Sequence, residues 1–224
     1  MKLALAAGMV LLASSPAHGF VSARTSAQRR RTVPPRAAKP ECVVFDLDGC
    51  LWSPEMYQLA WSGFGSPFTP TGDGALRAAG RSRATVELLG NVRDVMRELH
   101  CAPEWKDVTV AISSRCDEPE WARELLDKFM IDDGAGGQFA LRDAFSLVEI
   151  ASDDKCSHFE RLSEASGIPP ERMIFFDNEP GNCQSVARMG VTCAYSPEGV
   201  TSDVWQMALG EFPAADGEPV GMWW

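Results

Sequence analysis

The sequence has no Cys-x-x-Cys pair, so the spacing on which many cysteine zinc sites and thiol redox motifs depend is missing. Its seven cysteines are an odd number and all lie beyond residue 40, which does not indicate a complete disulfide framework. Free thiols suit a reducing compartment better than an extracellular one. The sequence also lacks internal repeats and low-complexity tracts, and its 224 residues suffice for one domain with a sizeable core.

Acidic residues are absent from the first 40 residues, which contain seven of the 21 basic residues. The rest of the chain, its body, therefore has 14 basic and 31 acidic side chains and a net charge near −17. Because an acidic body repels polyanions, we expect no nucleic-acid partner. The simplest interpretation of the charge is solubility.

The apolar run near the start of the chain, Leu3 to Leu12, is too short to span a bilayer. It precedes the small-x-small pattern Ala17-His18-Gly19, so residues 1–19 are predicted to be a signal peptide. Residues 20–40 begin at Phe20 and are rich in serine and arginine. Both features are typical of the second part of the two-part leaders that direct proteins to plastids enclosed by extra membranes. The prediction is a plastid protein with no membrane association in its mature form, and the alternative is plain secretion.

Two aspartates separated by one residue follow an unbroken apolar segment at the start of the body. The segment from Val43 to Phe45 favours a buried strand of a parallel sheet, with Asp46 and Asp48 at its carboxyl end. Two carboxylates this close repel each other unless a cation or strong donors lie between them. The pair therefore indicates a hard, oxygen-preferring metal such as Mg²⁺, although Asp-x-Asp also occurs in structural loops and caps.

Strand and helix patterns alternate along the rest of the body. Apolar residues at helical spacing predict one helix from Val86 to Leu99 and another with Pro119 in its first turn. The alternation predicts a three-layer, Rossmann-like α/β fold in which helices cover both faces of a parallel sheet, with no large cap domain. Further strands are predicted at 108–112, 145–150, 173–176 and 191–195, and further helices at 158–165, 183–189 and 204–209.

The predicted domain spans residues 41–200 and contains one unusual segment, at 50–82. This segment is dense in glycine and proline, which break long helices, and aromatic residues are interleaved with them. We expect it to fold over the end of the first strand and to form one wall of a pocket. The alternative is a short structural hairpin. Residues 201–224 are predicted to be a terminal helix and a tail.

Three further polar positions follow predicted strands or open predicted helices. Ser114 and Arg115 follow the second strand, where a hydroxyl and a guanidinium can hold an anion, although a helix N-cap is the common alternative. Lys155 opens a helix, where a lysine is usually a solvated charge. Asp177 ends a later strand and suits either an N-cap or a third metal carboxylate.

In the order Asp-x-Asp, Ser, Lys, Asp, these positions resemble the motifs of the haloacid dehalogenase superfamily of aspartate-nucleophile phosphatases. In detail the sequence resembles the magnesium-dependent phosphatase-one family of that superfamily, over roughly residues 42–200. The segments that carry the resemblance are Val43-Val-Phe-Asp-Leu-Asp-Gly-Cys-Leu-Trp52, Ser114-Arg115, Lys155 with His158-Phe-Glu-Arg-Leu162, Met173-Ile-Phe-Phe-Asp177 with Asn182, and Gly190-Val-Thr-Cys193.

The resemblance implies a catalytic role for each residue of the site. Asp46 would attack phosphorus and become an aspartyl-phosphate. Asp48 would protonate the leaving oxygen and then activate the water that hydrolyses the intermediate. Ser114 and Lys155 would hold the phosphoryl oxygens, and Arg115 would contact the substrate.

The resemblance also implies a metal site. Asp46, Asp177 and the backbone carbonyl of Asp48 would bind Mg²⁺, and Asn182 matches a downstream amide of the family. Many relatives have a second acid directly after the position of Asp177, where this chain has Asn178. The site then has one charge fewer, which affects metal affinity or the residues that surround the metal ligands.

These implications predict a Mg²⁺-dependent phosphomonoester hydrolase that acts through an aspartyl-phosphate. Because no large cap covers the site, the expected substrates are aryl phosphates, including phosphotyrosine on proteins, or phosphorylated sugar adducts. Trp52 is expected to flank the leaving group. A phosphotransferase and a non-catalytic phosphate-binding protein are the alternatives on the same fold.

Overall fold

The computed structural model describes residues 39–80, 84–214 and 217–222. The predicted signal peptide at 1–19, residues 20–38 of the predicted leader and the Trp223-Trp224 ending lie outside these residues. Within the described part of the chain, no helix is both long and apolar enough to cross a bilayer.

Strands and helices alternate through most of the described residues. The strands are β1 (Cys42–Phe45), β2 (Trp52–Ser53), β3 (Gly65–Pro70), β4 (Leu76–Ala79), β5 (Thr85–Leu88), β6 (Thr109–Ser114), β7 (Met130–Asp132), β8 (Gln138–Ala140), β9 (Leu147–Ile150), β10 (Met173–Asp177) and β11 (Thr192–Tyr195). The α-helices are α1 (Met56–Trp61), α2 (Val92–Cys101), α3 (Pro119–Lys128), α4 (Lys155–Ser166), α5 (Pro180–Ala187) and α6 (Ser202–Glu211).

A five-stranded parallel sheet with the order β11-β10-β1-β6-β9 forms the centre of the body. β1 is the middle strand, and its Val43 pairs with Ile174 of β10 on one side and with Val110 of β6 on the other. β1 and the residues of β10 before Asp177 are continuous apolar runs, as expected for strands that are covered on both faces of the sheet. The parallel arrangement places the carboxyl ends of β1, β6 and β10 at one edge, where the predicted site residues follow.

Two separate apolar clusters confirm the predicted three layers. Val43 and Phe45 pack on one face of the sheet with residues of α2, α3 and α6. Val44, which points the other way, packs with residues of α4 and α5. Alternate residues of one buried strand therefore serve two different cores.

The glycine-rich segment after β1 forms a small antiparallel sheet together with α1. The strand order of this sheet is β2-β5-β4-β3. Its last strand along the chain, β5, ends at Leu88, beyond the predicted end of the segment at residue 82. The predicted start of a helix at Val86 is therefore wrong, because Val86 is a buried residue of β5 and α2 begins only at Val92. Gly90 separates the two elements with a φ of +49°, and a Cβ there would lie 2.8 Å from the carbonyl oxygen of Val200.

The β7–β8 hairpin was not predicted. Its two strands have three residues each, and Ile131 pairs with Phe139. Strands this short give too few alternating positions to be recognised from sequence. The hairpin follows α3 and lies outside the set of strands that lead to the predicted site.

Candidate active site

Asp46 and Asp48 lie in the turn that follows the middle strand of the sheet. The amide of Asp46 donates to the carbonyl of Phe176 at 2.9 Å, which extends the β1–β10 ladder by one residue. The Asp48 carboxylate accepts a hydrogen bond from Trp52 Nε1 at 2.6 Å and another from the Met56 amide at 3.2 Å. Because both carboxylate oxygens of Asp48 have donors, its side chain is fixed in one orientation.

Lys155 is buried between the predicted carboxylates, with 3% of its surface exposed. Its Nζ lies 2.7 Å from Asp46 Oδ1 and 3.2 Å from Asp177 Oδ2, and it also donates to the carbonyl of Ser113. The interpretation of Lys155 as a solvated charge is therefore wrong. Burial alone would lower the pKa of Lys155, but the charges of Asp46 and Asp177 outweigh it and raise the pKa, so the side chain stays cationic.

Asp177 is fully buried at the end of β10. It accepts hydrogen bonds from the Glu179 amide at 2.7 Å and from Asn182 Nδ2 at 3.0 Å. Asn178 packs against Gly49, where a Cβ would lie 2.3 Å from Asn178 Nδ2, and Gly49 has a φ of +74°. A side chain at residue 49 would therefore displace Asn178 from the site.

Ser114 and Arg115 lie at the end of β6, beside the same edge of the sheet. Ser114 Oγ is buried and has no hydrogen-bond partner among the described residues, so it is free to bind an oxygen of a ligand. The N-cap alternative is wrong for Ser114, because α3 begins at Pro119 and its N-cap residue is Glu118. Arg115 is exposed at the rim.

One cleft of about 200 Å³ lies at this edge of the sheet, and Asp177 and Asn178 are not among the residues that line it. Most of the predicted site residues line it, and five lining residues had not been predicted. The predicted lining residues are Asp46, Asp48, Ser114, Arg115, Lys155 and Asn182, and the additional ones are Glu55, Tyr57, Cys116, Asp117 and Glu179. Glu55 and Tyr57 belong to the segment 50–82, which was expected to form one wall of a pocket. Cys116, Asp117 and Glu179 follow predicted site residues in sequence, and that proximity was their signal.

Trp52 does not flank the cleft as expected. Its side chain is 0% exposed, and its indole N–H is directed to Asp48. The expectation that Trp52 contacts a leaving group is therefore wrong. An aromatic residue next to a catalytic aspartate in sequence can equally serve as its buried hydrogen-bond donor, and sequence alone does not separate these two roles.

Burial changes the proton affinity of two of the aspartates. Burial, opposed by the hydrogen bonds from Trp52 and Met56, raises the pKa of Asp48 to about 6. Burial and then the charge of Asp46 raise the pKa of Asp177 to about 7. Both carboxyl groups therefore gain or lose a proton much closer to neutral pH than an ordinary aspartate does.

The residues at this edge fit Mg²⁺. The carboxylates of Asp46 and Asp177 both contact the same ammonium group, and Asn178 Oδ1 is a buried oxygen without a donor among the described residues. No group of three or more His, Cys, Asp or Glu side chains in residues 39–80, 84–214 and 217–222 has metal-binding geometry. Mg²⁺ does not need one, because it commonly uses one or two carboxylates together with water and substrate oxygens.

We expect the apparent affinity for Mg²⁺ to fall as the pH falls below about 7. A metal binds the ionised carboxylate, and the raised pKa of Asp177, about 7, means that protons compete in this range. The raised pKa contributes folding stability below the usual value near 3.8, and this contribution is lost as the pH rises through about 7. Mg²⁺ bound to the ionised form would offset that loss of stability.

Calorimetric titration of Mg²⁺ at about pH 8, 7 and 6 measures this dependence, and the affinity should fall about tenfold per pH unit on the acid side for one released proton. Asp177→Asn is expected to bind Mg²⁺ more weakly and with a flatter pH dependence. An affinity that is constant over this range in the unsubstituted protein would contradict the assignment of Asp177 as a ligand.

Comparison with known proteins adds independent information. A family model described as Acid Phosphatase matches residues 38–215. Over 186 residues the chain is 33% identical to Magnesium-dependent phosphatase 1 of Homo sapiens. The alignment covers 82% of this chain and 93% of that protein. A HAD-like hydrolase superfamily protein of Schizosaccharomyces pombe is 28% identical over 155 residues, or 68% of this chain and 83% of the relative.

Solved structures match the fold. A HAD family enzyme of Bacteroides thetaiotaomicron, solved as a magnesium complex, aligns with a TM-score of 0.50 and 15% sequence identity. The alignment covers 76% of this chain and 100% of that structure. At this identity the similarity concerns the fold alone.

Proposed function

Because the chain belongs to the acid phosphatase family, we propose that it hydrolyses phosphomonoesters through an aspartyl-phosphate formed on Asp46. The comparisons confirm the expected haloacid dehalogenase superfamily, the phosphatase class and the use of Mg²⁺. The observation that carries the proposal is the buried Lys155, which contacts both Asp46 and Asp177 at the edge of the sheet. A cation in this position stabilises the charge of a phosphoryl group during transfer.

The proposed reaction has two steps. In the first, a carboxylate oxygen of Asp46 attacks phosphorus while Lys155 and Ser114 hold the phosphoryl oxygens, and the leaving oxygen takes a proton from Asp48. In the second, water attacks phosphorus, Asp48 takes a proton from that water, and the Asp46 carboxylate is released. Mg²⁺ held by Asp46, Asp177 and the Asp48 carbonyl would offset the negative charge of the phosphoryl oxygens.

The surroundings of Asp48 support its role as acid and base. A group that donates and then accepts a proton works best when its pKa is near the working pH, and the pKa of Asp48, raised mainly by burial, is about 6. Donors on Trp52 and Met56 hold the carboxylate in place. Unlike Asp46, Asp48 forms no ion pair with Lys155, so its carboxyl group remains available to the leaving group.

The shape of the cleft supports an aromatic leaving group. A volume of about 200 Å³ accommodates a phosphoryl group but not a whole drug-sized ligand, so the leaving group lies at the mouth. Tyr57 lines the cleft, and Trp61 packs edge-on against Tyr57, with 5.0 Å between the ring centres, while 84% of the surface of Trp61 is exposed. We therefore assign aryl phosphates, including phosphotyrosine, as the preferred class, with phosphorylated sugar adducts as the second class.

Tyr57→Ala and Trp61→Ala are expected to lower kcat/KM for an aryl phosphate by about three- to tenfold, since an aromatic contact contributes about 0.5–1.5 kcal/mol. The same variants should change kcat/KM for glycerol phosphate much less. Steady-state kinetics on matched aryl and alkyl esters measure the difference, and Met130→Ala, which removes a partly exposed apolar side chain outside the cleft, is the control. Equal losses on both esters would contradict the assignment.

For the leader we propose delivery to a plastid. The proposal rests on the acid-free sequence of residues 1–40, on Phe20 after the small-x-small pattern, and on seven cysteines that are all unpaired in the described residues. A fusion of residues 1–40 to a fluorescent protein, expressed in an alga whose plastid has extra membranes, tests it. Fluorescence in the growth medium would favour secretion instead.

A further inference from the structure

A buried chain of polar side chains connects Lys155 to the protein surface. His158 lies one turn after Lys155 in α4 and is 0% exposed. Its Nδ1 lies 3.1 Å from Ser113 Oγ, and its Nε2 lies 3.0 Å from Asp153 Oδ1. Arg161 donates to Asp153 at 2.7 Å at the outer end, and the Ser113 carbonyl accepts from Lys155 Nζ at the inner end.

The partners of His158 indicate the direction of each hydrogen bond in this chain. Arg161, chiefly through its hydrogen bonds, lowers the pKa of Asp153 to about 2, so Asp153 is an acceptor only at neutral pH. Burial and then the charge of Lys155 lower the pKa of His158, which keeps the ring neutral although Asp153 opposes the shift. The single ring proton is therefore on Nε2, and Nδ1 accepts the hydroxyl hydrogen of Ser113.

The two consecutive serines at the end of β6 have different tasks. Ser114 lines the cleft with an unpartnered hydroxyl, whereas Ser113, on the other face of the strand, binds His158. The Ser113–His158 bond connects the strand end to the first turn of α4. Arg161 connects the next turn of α4 to Glu149 of β9, at 2.9 Å. The two contacts determine how far α4 lies from the sheet edge.

We propose that His158 is a positioning residue for Lys155. By accepting the hydrogen bond of the Ser113 hydroxyl, His158 holds the start of α4 and the Ser113 carbonyl at the spacing from which Lys155 reaches the nucleophile Asp46. The inference rests on the proposed function, because it assigns Lys155 to the phosphoryl group and to Asp46. A displacement of about 1 Å in such a group is enough to reduce a rate about a hundredfold.

Three substitutions of His158, compared with Ser113→Ala, test the inference. His158→Asn places an acceptor oxygen near the δ position that faces Ser113, His158→Gln places its amide near the ε position that faces Asp153, and His158→Leu has no polar group. We expect kcat/KM to fall about ten- to a hundredfold in His158→Gln, His158→Leu and Ser113→Ala, and to stay within about threefold in His158→Asn. His100→Asn is the matched control, since His100 is exposed and stacks on Phe139.

If His158 only stabilised the fold, the variants would have a lower Tm, but at temperatures well below that Tm their kcat would be unchanged. Because His158→Leu already breaks the contact that Ser113→Ala removes, the double variant should be no worse than His158→Leu alone. Additive losses, or an unchanged kcat in folded His158→Leu and Ser113→Ala, would overturn the inference.

A binding measurement separates this inference from the proposed function. Orthovanadate affinity in the presence of Mg²⁺ should fall in parallel with kcat/KM across the variants, and it needs no turnover. If the unsubstituted protein binds orthovanadate but releases phosphate from no ester, the proposed function fails while the positioning of Lys155 is still measured. Unchanged orthovanadate affinity in Ser113→Ala and His158→Leu would overturn the positioning role.

Discussion

Asp46→Asn is expected to lower phosphate release by about 10⁴- to 10⁶-fold, as the loss of a nucleophile does in other covalent enzymes. The amide has nearly the shape of the carboxylate, but it does not attack phosphorus. Lys155 keeps its contact with Asp177 at 3.2 Å, so one ion pair of the buried set remains and the fold is expected to survive. The loss should appear in kcat, since the removed interaction is made with the reacting atom.

Acid-quenched reactions with a radiolabelled phosphate ester provide the direct measurement. The unsubstituted protein should retain label on the chain at early times, and Asp46→Asn should retain none. Asp94→Asn is the matched control, because Asp94 is exposed on α2, where it forms an ion pair with Arg97 and accepts a long hydrogen bond from Asn91. Label on the Asp46→Asn chain, or a rate close to that of the control, would refute the covalent mechanism.

The parallel sheet and the placement of the site were predictable because they depend on local patterns. Unbroken apolar runs identified the strands from Val43 and from Met173, and parallel strands necessarily bring their carboxyl ends to one edge. Asp46 and Asp177 were therefore expected near one another from the strand pattern, whereas Lys155, which opens a helix, was placed with them only by the family resemblance. The mutual distances of these residues and the burial of Lys155 were not predictable, since these depend on side-chain packing.

The predictions for Val86 and Trp52 were wrong because one sequence pattern permits two structures. Val86 fits helical spacing with Leu89 and Val92, but it also fits the alternation of a strand. β5 ends at Leu88, and Gly90 then lies against the backbone of Val200, which is 110 positions away in sequence (200 − 90). Trp52 was expected at the cleft but is the buried donor to Asp48. The Ser113–His158 contact is likewise invisible in sequence, because it joins residues 45 positions apart.

Lys155→Met is expected to lower both activity and stability. Loss of a buried cation leaves Asp46 and Asp177 without a counter-charge, and removing one partner of a buried ion pair typically costs about 3–5 kcal/mol. Without Mg²⁺, the free energy of unfolding should fall by about that amount. Activity should fall by about 10²- to 10³-fold, because one donor to the phosphoryl oxygens is missing.

Saturating Mg²⁺ should restore more stability to Lys155→Met than it adds to the unsubstituted protein, since a bound cation supplies the counter-charge that the variant lacks. Denaturant unfolding with and without Mg²⁺ measures both differences. Lys128→Met is the matched control. Lys128 Nζ lies 2.6 Å from Glu124 Oε1, but the Lys128 side chain is 36% exposed. Loss of this ion pair should therefore lower the free energy of unfolding by less than about 1 kcal/mol. Equal destabilisation in the two variants would show that Lys155 does not balance the buried carboxylates. A stable but inactive Lys155→Met would instead confine the role of Lys155 to the substrate.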